Sequence, residues 1–157
     1  MAGIQFDTVW KNHPANEATP NINPCSKNGT PNHDNQCVIR LGLALVRSGV
    51  SLASFNGAFC WNGHARQHPL RVEEFKKWLN SSSANFVGSA VKYKKDARGN
   101  QKTSNDFTGK RGIVAFLDFW GANNTGDHID LWNGTKVAHG SLDYFSRSRE
   151  LWFWSMP

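Results

Sequence analysis

One residue in this chain joins a reactive atom to a position that would activate it. Residues 32–36 are polar (Asn32-His33-Asp34-Asn35-Gln36), Cys37 follows, and the next nine residues are apolar apart from Arg40 and Gly42. The pattern predicts a helix that opens at Cys37, with Asp34 or Asn35 capping its first amides and Gly49 supplying the left-handed residue that ends it. Apolar residues fall nearly all round this helix, so it is expected to be buried. A thiol in its first turn meets free amides and the positive end of the dipole, both of which favour a thiolate. The same residue also reads as a small core hydrophobe, the commoner fate of a cysteine outside a disulfide.

A second set of candidates lies near the C-terminus, in His128-Ile129-Asp130-Leu131-Trp132-Asn133-Gly134-Thr135-Lys136-Val137-Ala138-His139. Asn-Gly between alternating residues is a strong signal for a two-residue hairpin turn. With Asn133-Gly134 as that turn, His128 stands directly opposite His139, their Cβ atoms about 4.5–5.5 Å apart, and Asp130 shares their face. A helix-start cysteine, a strand histidine and a polar neighbour have the form of nucleophile, general base and orienting group. The imidazole takes the thiol proton and returns it to a leaving amine, while the third group fixes the useful tautomer. The Cys37 amide is the expected donor to the oxyanion. Cross-strand reach favours His139 as the orienter, with Asp130 as the alternative.

The elements that must hold these residues follow from patterning. Residues 1–34, with Pro14, Pro20, Pro24 and Pro31 and many asparagines, read as an irregular arm. A second helix is expected to begin at Pro69, with Glu73 and Glu74 early, Lys76 and Lys77 late, and Val72, Phe75, Trp78 and Leu79 on one face. From residue 85 the period becomes two. A strand is expected near Val91, a solvated basic loop over 94–110, and a buried strand over 113–120 with Val114, Phe116, Asp118 and Trp120 on one face. A short helix near 141–145 and a last strand at 151–154 close the chain. Helices first, then strands, make an α+β layout.

At 157 residues the chain fits one domain, 1–157. Its first 20 residues lack the apolar run of a secretory signal, and no stretch has the length of a membrane span. Three cysteines are too few for a disulfide scaffold, and whether Cys25 and Cys60 pair stays open. The net charge of +6 predicts attraction to polyanions, whether nucleic acid, anionic membrane or cell-wall polymer, without choosing among them. Cys60, His64 and His68 are spaced by fours, as zinc ligands on one helix face would be. Pro69 is expected to start a helix after them, no fourth ligand is evident, and the glutamate of a zinc-hydrolase helix is missing, so neither metal nor cofactor is expected.

Four segments together resemble a known family: Gln36-Cys37-Val38-Ile39-Arg40-Leu41-Gly42-Leu43-Ala44-Leu45, Gly63-His64-Ala65-Arg66, His128-Ile129-Asp130-Leu131-Trp132-Asn133-Gly134, and Glu150-Leu151-Trp152-Phe153-Trp154. This combination resembles the fourth family of type VI secretion amidase effectors. The resemblance implies a papain-like, NlpC-type cysteine peptidase fold. It implies peptidoglycan as substrate, cut between γ-D-glutamate and meso-diaminopimelate, with contact delivery into a rival's periplasm that needs no signal peptide. A cognate immunity protein covering the active site is implied as partner. Carried over, Cys37 is the nucleophile and His128 the base. The third position falls on His139, where the family more often has aspartate. A neutral imidazole stabilises the His128 cation less than a carboxylate would, which keeps Asp130 in contention. His64 and Arg66 are expected to line the groove, Arg66 pairing with a stem-peptide carboxylate. The alternatives from other classes are a basic nucleic-acid-binding or nuclease toxin, for which no motif is present, and a catalytically dead wall-binding module.

Overall fold

The structure is a computed structural model that describes residues 3–60 and 68–157. Helix α1 (Phe6–Asn12) leads into the proline-containing arm, which carries the hairpin β1 (Ser26–Lys27) and β2 (Thr30–Pro31). The catalytic-candidate helix α2 (Cys37–Arg47) and helix α3 (Val72–Leu79) follow. Then come β3 (Val91–Lys94), β4 (Gly112–Trp120), β5 (Gly126–Trp132), the short α4 (Tyr144–Arg147) and β6 (Glu150–Ser155). Strands β3 to β6 form one antiparallel sheet in the order β3-β6-β4-β5. This is the expected α+β class, but the last strand is central rather than the end of a meander.

Period-two patterning splits the sheet into two faces. Ile113, Ala115, Ile129, Leu131, Trp152 and Trp154 join the core shared with α1, α2 and α3. Val114, Phe116, Trp132, Leu151 and Phe153 join a second core closed by Phe107 and Phe145. In β4 the alternation breaks after Leu117. Asp118 takes φ +56°, the β4–β5 register slips between Phe116 and Trp120, and Phe119 lands on the Phe116 side instead of with Leu117. A residue added to one strand re-aims every side chain beyond it. The result is that Trp120 stands at the surface beside the candidate site, its indole N–H donating to Asp127 O (2.9 Å).

Helix α2 matches its apolar pattern, since every residue from Cys37 to Leu45 is buried. Burying each of its leucines stabilises the fold by about 1.5–3 kcal/mol. Asn35, not Asp34, serves the helix start, its Oδ1 accepting from the Cys37 amide at 3.1 Å, and Gly49 has φ +93° after the last turn. Two expectations need correction. The arm is not wholly irregular, because Phe6, Val9 and Trp10, spaced for one helical face, form α1 against α2. Helix α3 starts at Val72, not Pro69: Phe59 and Pro69 form a bridge, and the Cys60 and Leu70 amides donate to His68 O and Ala58 O. That ladder claims residues 68–70 before a helix can. Among the described residues, no helix is long and apolar enough to cross a membrane.

Candidate active site

Strand β5 is the sheet edge nearest α2, and the two are tied at their starts. The Asn35 side chain spans them, taking the Cys37 amide on Oδ1 and donating from Nδ2 to Asp127 O (3.4 Å), one residue before His128. This cross-link of residues 92 apart in the chain brings the thiol to the imidazole. The Cys37 side chain is close enough to act on the His128 ring, whose Nε2 hydrogen-bonds to Asp130 Oδ2 at 3.3 Å. With Nε2 on the carboxylate, Nδ1 is the nitrogen left for the sulfur. Phe116 stacks on the ring at 6.0 Å between centroids and Tyr144 meets it edge-on at 5.3 Å, so its plane is fixed.

Asp130 is the hub behind this pair. The alternation of β5 puts it on the face of His128, and it is 1% exposed. Its Oδ1 lies 3.2 Å from His13 Nε2 and accepts from the Leu131 amide; its Oδ2 also accepts from the His139 amide at 2.7 Å. His13 Nδ1 accepts from the Ala15 amide (3.1 Å), so its proton sits on Nε2, the nitrogen that faces Asp130. Burial alone would push His128 down, but the hydrogen bonds to Asp130 and Cys37 outweigh it and raise its pKa to about 9. Burial likewise works against the Asp130 carboxylate, yet the hydrogen bonds from His128 and His13 hold its pKa far below the ordinary range. The arrangement favours a carboxylate paired with an imidazolium.

The expected opposition of His128 and His139 does not form. Trp132 pairs with Val137, not with Thr135, because Asn133 Oδ1 accepts from the Thr135 and Lys136 amides and closes a four-residue loop. The register moves by two, the His139 amide arrives beside Asp130, and the hydrogen bond to His128 expected of His139 is made by Asp130. The His139 ring is exposed and lines the neighbouring cleft, where burial and the nearby Arg40 lower its pKa. The Cys37 amide, expected to be open to an oxyanion, is already engaged by Asn35.

That cleft, about 530 Å³, is lined by His128, His139, Arg40, Trp120, Tyr144 and Arg147 among others. Arg40 lies one turn on from Cys37, donates to Ile22 O at 2.6 Å and is buried. Burial lowers its pKa while Cys37 and Asp130 act in the opposite sense. Sequence reasoning quoted the Cys37-x-x-Arg40 spacing without giving Arg40 a task, and it missed His13 altogether. A lone arginine in an apolar helix was the available signal for the first. His64 and Arg66 lie outside the described residues.

Away from the cleft, Cys25, Cys60 and His68 bring their ligand atoms within 4.8 Å of one another. The helical Cys60, His64, His68 face considered from the sequence is replaced at Cys60 and His68 by the bridged ladder. Cys25 Sγ and Cys60 Sγ are 3.6 Å apart, well beyond the about 2.0 Å of a disulfide bond.

The fold is similar to that of solved amidase effectors. The Tae4 effector from Enterobacter cloacae is 21% identical, with all of each chain covered and a TM-score of 0.71. Its complex with the Tai4 immunity protein matches at 21% identity, 98% of each chain and a TM-score of 0.69. The Tae4/Tai4 system from Salmonella typhimurium matches at 20%, 98% of each chain and 0.65. No curated protein matches the chain. The family model for the type VI secretion system amidase effector protein 4 matches residues 33–154. A match over that span, taking in α2 and the whole sheet, shows that the chain belongs to this family of amidase effectors.

Proposed function

We propose that this amidase is a cysteine endopeptidase of peptidoglycan, with Cys37 as nucleophile, His128 as acid and base, and Asp130 as the orienting carboxylate. The observation that carries the reading is the His128 imidazole held between the Cys37 thiol and the buried Asp130, at the wall of a cleft. The thiolate attacks the amide carbon and the carbonyl becomes a tetrahedral oxyanion. The imidazolium gives its proton to the departing nitrogen, which leaves as a free amine, and a thioester remains on Cys37. Neutral His128 then takes a proton from water, hydroxide attacks the thioester, and the carboxylate product leaves as the thiol is restored. Asp130 stabilises the imidazolium throughout.

The substrate amide of this reading joins γ-D-glutamate to meso-diaminopimelate. Arg40, Arg147 and the His139 ring line the cleft, which suits the carboxylates of a stem peptide. His139 then acts on substrate from the cleft wall and holds Asp130 through its main chain, and the Asp130 hydrogen bond to His128 supports the carboxylate as orienter. The +6 charge favours an anionic cell wall. As an effector of this secretion system, the protein would meet its substrate in a rival's periplasm. The Tae4–Tai4 complexes support a cognate immunity protein as the partner that covers the cleft.

Mass spectrometry of muropeptides after digestion of purified sacculi tests the proposal. Wild type is expected to yield a new amine on diaminopimelate paired with a new γ-carboxyl on glutamate, and Cys37→Ala none. Cleavage at another amide would overturn the bond assignment; equal cleavage by Cys37→Ala would overturn the cysteine mechanism. Degradation of RNA or DNA with the wall left intact would favour the nuclease reading.

A further inference from the structure

The amidase mechanism leaves two of the three cysteines unused, and they converge with two histidines. Cys25 and His33 flank the β1–β2 hairpin, where the Asn32 amide donates to Cys25 O at 2.8 Å. Cys60 and His68 flank residues 61–67 and are joined by the Cys60 amide donating to His68 O at 2.9 Å. Each pair is a cysteine followed by seven residues and a histidine. The two pairs face each other. Cys25 Sγ lies 3.6 Å from Cys60 Sγ, His33 Nε2 lies 3.2 Å from Cys60 Sγ, and a His68 ring nitrogen is within 4.8 Å of both sulfurs.

From these distances we infer that Cys25, His33, Cys60 and His68 form a structural zinc site. Zinc bonds of about 2.3 Å to sulfur and about 2.0 Å to nitrogen set tetrahedral separations of about 3.8 Å between sulfurs and about 3.5 Å between sulfur and nitrogen. The two sulfurs, and His33 Nε2 with the Cys60 sulfur, are therefore near their coordinated spacing already, and the His68 nitrogen lies within 4.8 Å of both sulfurs. Two soft thiolates and two imidazoles select zinc over the oxygen-seeking cations. Binding displaces the two thiol protons to solvent, and the four-coordinate centre is neutral.

The surroundings are those of a held site. Asn32 Nδ2 donates to Cys25 Sγ at 3.4 Å, the kind of outer bond that settles a metal-bound thiolate. Gln36 is buried and clips both members of the first pair, its Oε1 accepting from the Cys25 amide and its Nε2 donating to Cys25 O (2.8 Å each) and His33 O (3.1 Å). Ile39 and Leu43 of α2 pack against both sulfurs' residues. An ion here pins the arm to Cys60 and His68 against α2, and Gln36 is the residue before the nucleophile. All four positions being filled by protein, the site is structural rather than catalytic.

The test is metal analysis of untagged full-length protein after gel filtration, with cobalt(II) as the spectroscopic probe. One zinc per chain is expected. Cobalt is expected to give the intense visible bands of tetrahedral coordination and a thiolate charge-transfer band. Cys25→Ser and His68→Gln are expected to drop the stoichiometry toward zero, whereas Cys37→Ala keeps one ion. A metal-free protein whose unreduced mass shows a Cys25–Cys60 disulfide would overturn the site, as would stoichiometric zinc retained by both ligand variants. If those variants fail to fold, the wild-type cobalt spectrum decides: absence of the thiolate band overturns the site.

Discussion

Two clusters in this molecule each join a buried cysteine to histidine, and their surroundings send them toward different chemistry. At Cys37 a single sulfur meets one imidazole, a carboxylate stands behind the ring, and a cleft opens beside it. At Cys25 and Cys60 two sulfurs meet at 3.6 Å with His33 and His68 around them. A carboxylate behind an imidazole makes a proton carrier; a second sulfur beside it makes a chelate. Residue type alone does not decide reactivity, and the third and fourth neighbours do.

The largest expected effects separate the two clusters cleanly. Cys37→Ala should reduce amide cleavage by roughly four to six orders of magnitude, as removal of a nucleophile does elsewhere, while bound zinc is unchanged. Cleavage assays beside metal analysis check this, and a Cys37 variant that loses its zinc would merge the clusters. Asp130→Asn should lower kcat by roughly 10³–10⁴, because the amide cannot stabilise the imidazolium, while His139→Ala should cost about tenfold and act mainly on KM. Steady-state kinetics with both variants would reverse the two assignments if His139→Ala proved the more damaging. Chelation of the second cluster is expected to lower the melting temperature by about 10 °C, read by calorimetry, without shifting the pH profile of cleavage.

A smaller effect concerns the supports. His13→Leu removes the ring nitrogen that faces Asp130 and should cost about 1–3 kcal/mol of stability. Asn35→Ala frees the Cys37 amide and cuts the tie to Asp127, at about 1 kcal/mol. Urea denaturation measures both. If Asn35→Ala left kcat intact, the tie between α2 and β5 would be dispensable for bringing sulfur to imidazole.

The first cluster was largely legible in the sequence and the second was not. The switch from Gln36 to a run of apolar residues gave α2 its start, because a buried helix with a polar cap leaves a sharp boundary. The alternation through Leu131 gave β5 and with it His128. Register was beyond reach: Asn133-Gly134 reads as a two-residue turn, but the Asn133 side chain captures two following amides and lengthens the loop. The slip moved His139 from opposite His128 to beside Asp130. His13 sits at the end of a seven-residue helix inside an arm rich in proline, where local pattern carries little weight. Cys25 and His33 meet Cys60 and His68 only through packing on Ile39 and Leu43, which no local spacing announces.

Stability should also respond to pH in the sense the first cluster requires. The His128 pKa is raised from 6.5 to about 9, so its contribution is full below 6.5 and is lost as pH rises through about 9. Asp130 is held below its ordinary 3.8, so its contribution is present above that value and is lost as pH falls through its depressed folded value. The most direct test is an NMR titration of the His128 ring in wild type and in Cys37→Ala. The imidazole held between sulfur and carboxylate should titrate near 9 in the wild type and lower once the sulfur is gone. A wild-type ring that titrates near 6.5, unmoved by the loss of Cys37, would contradict the whole arrangement.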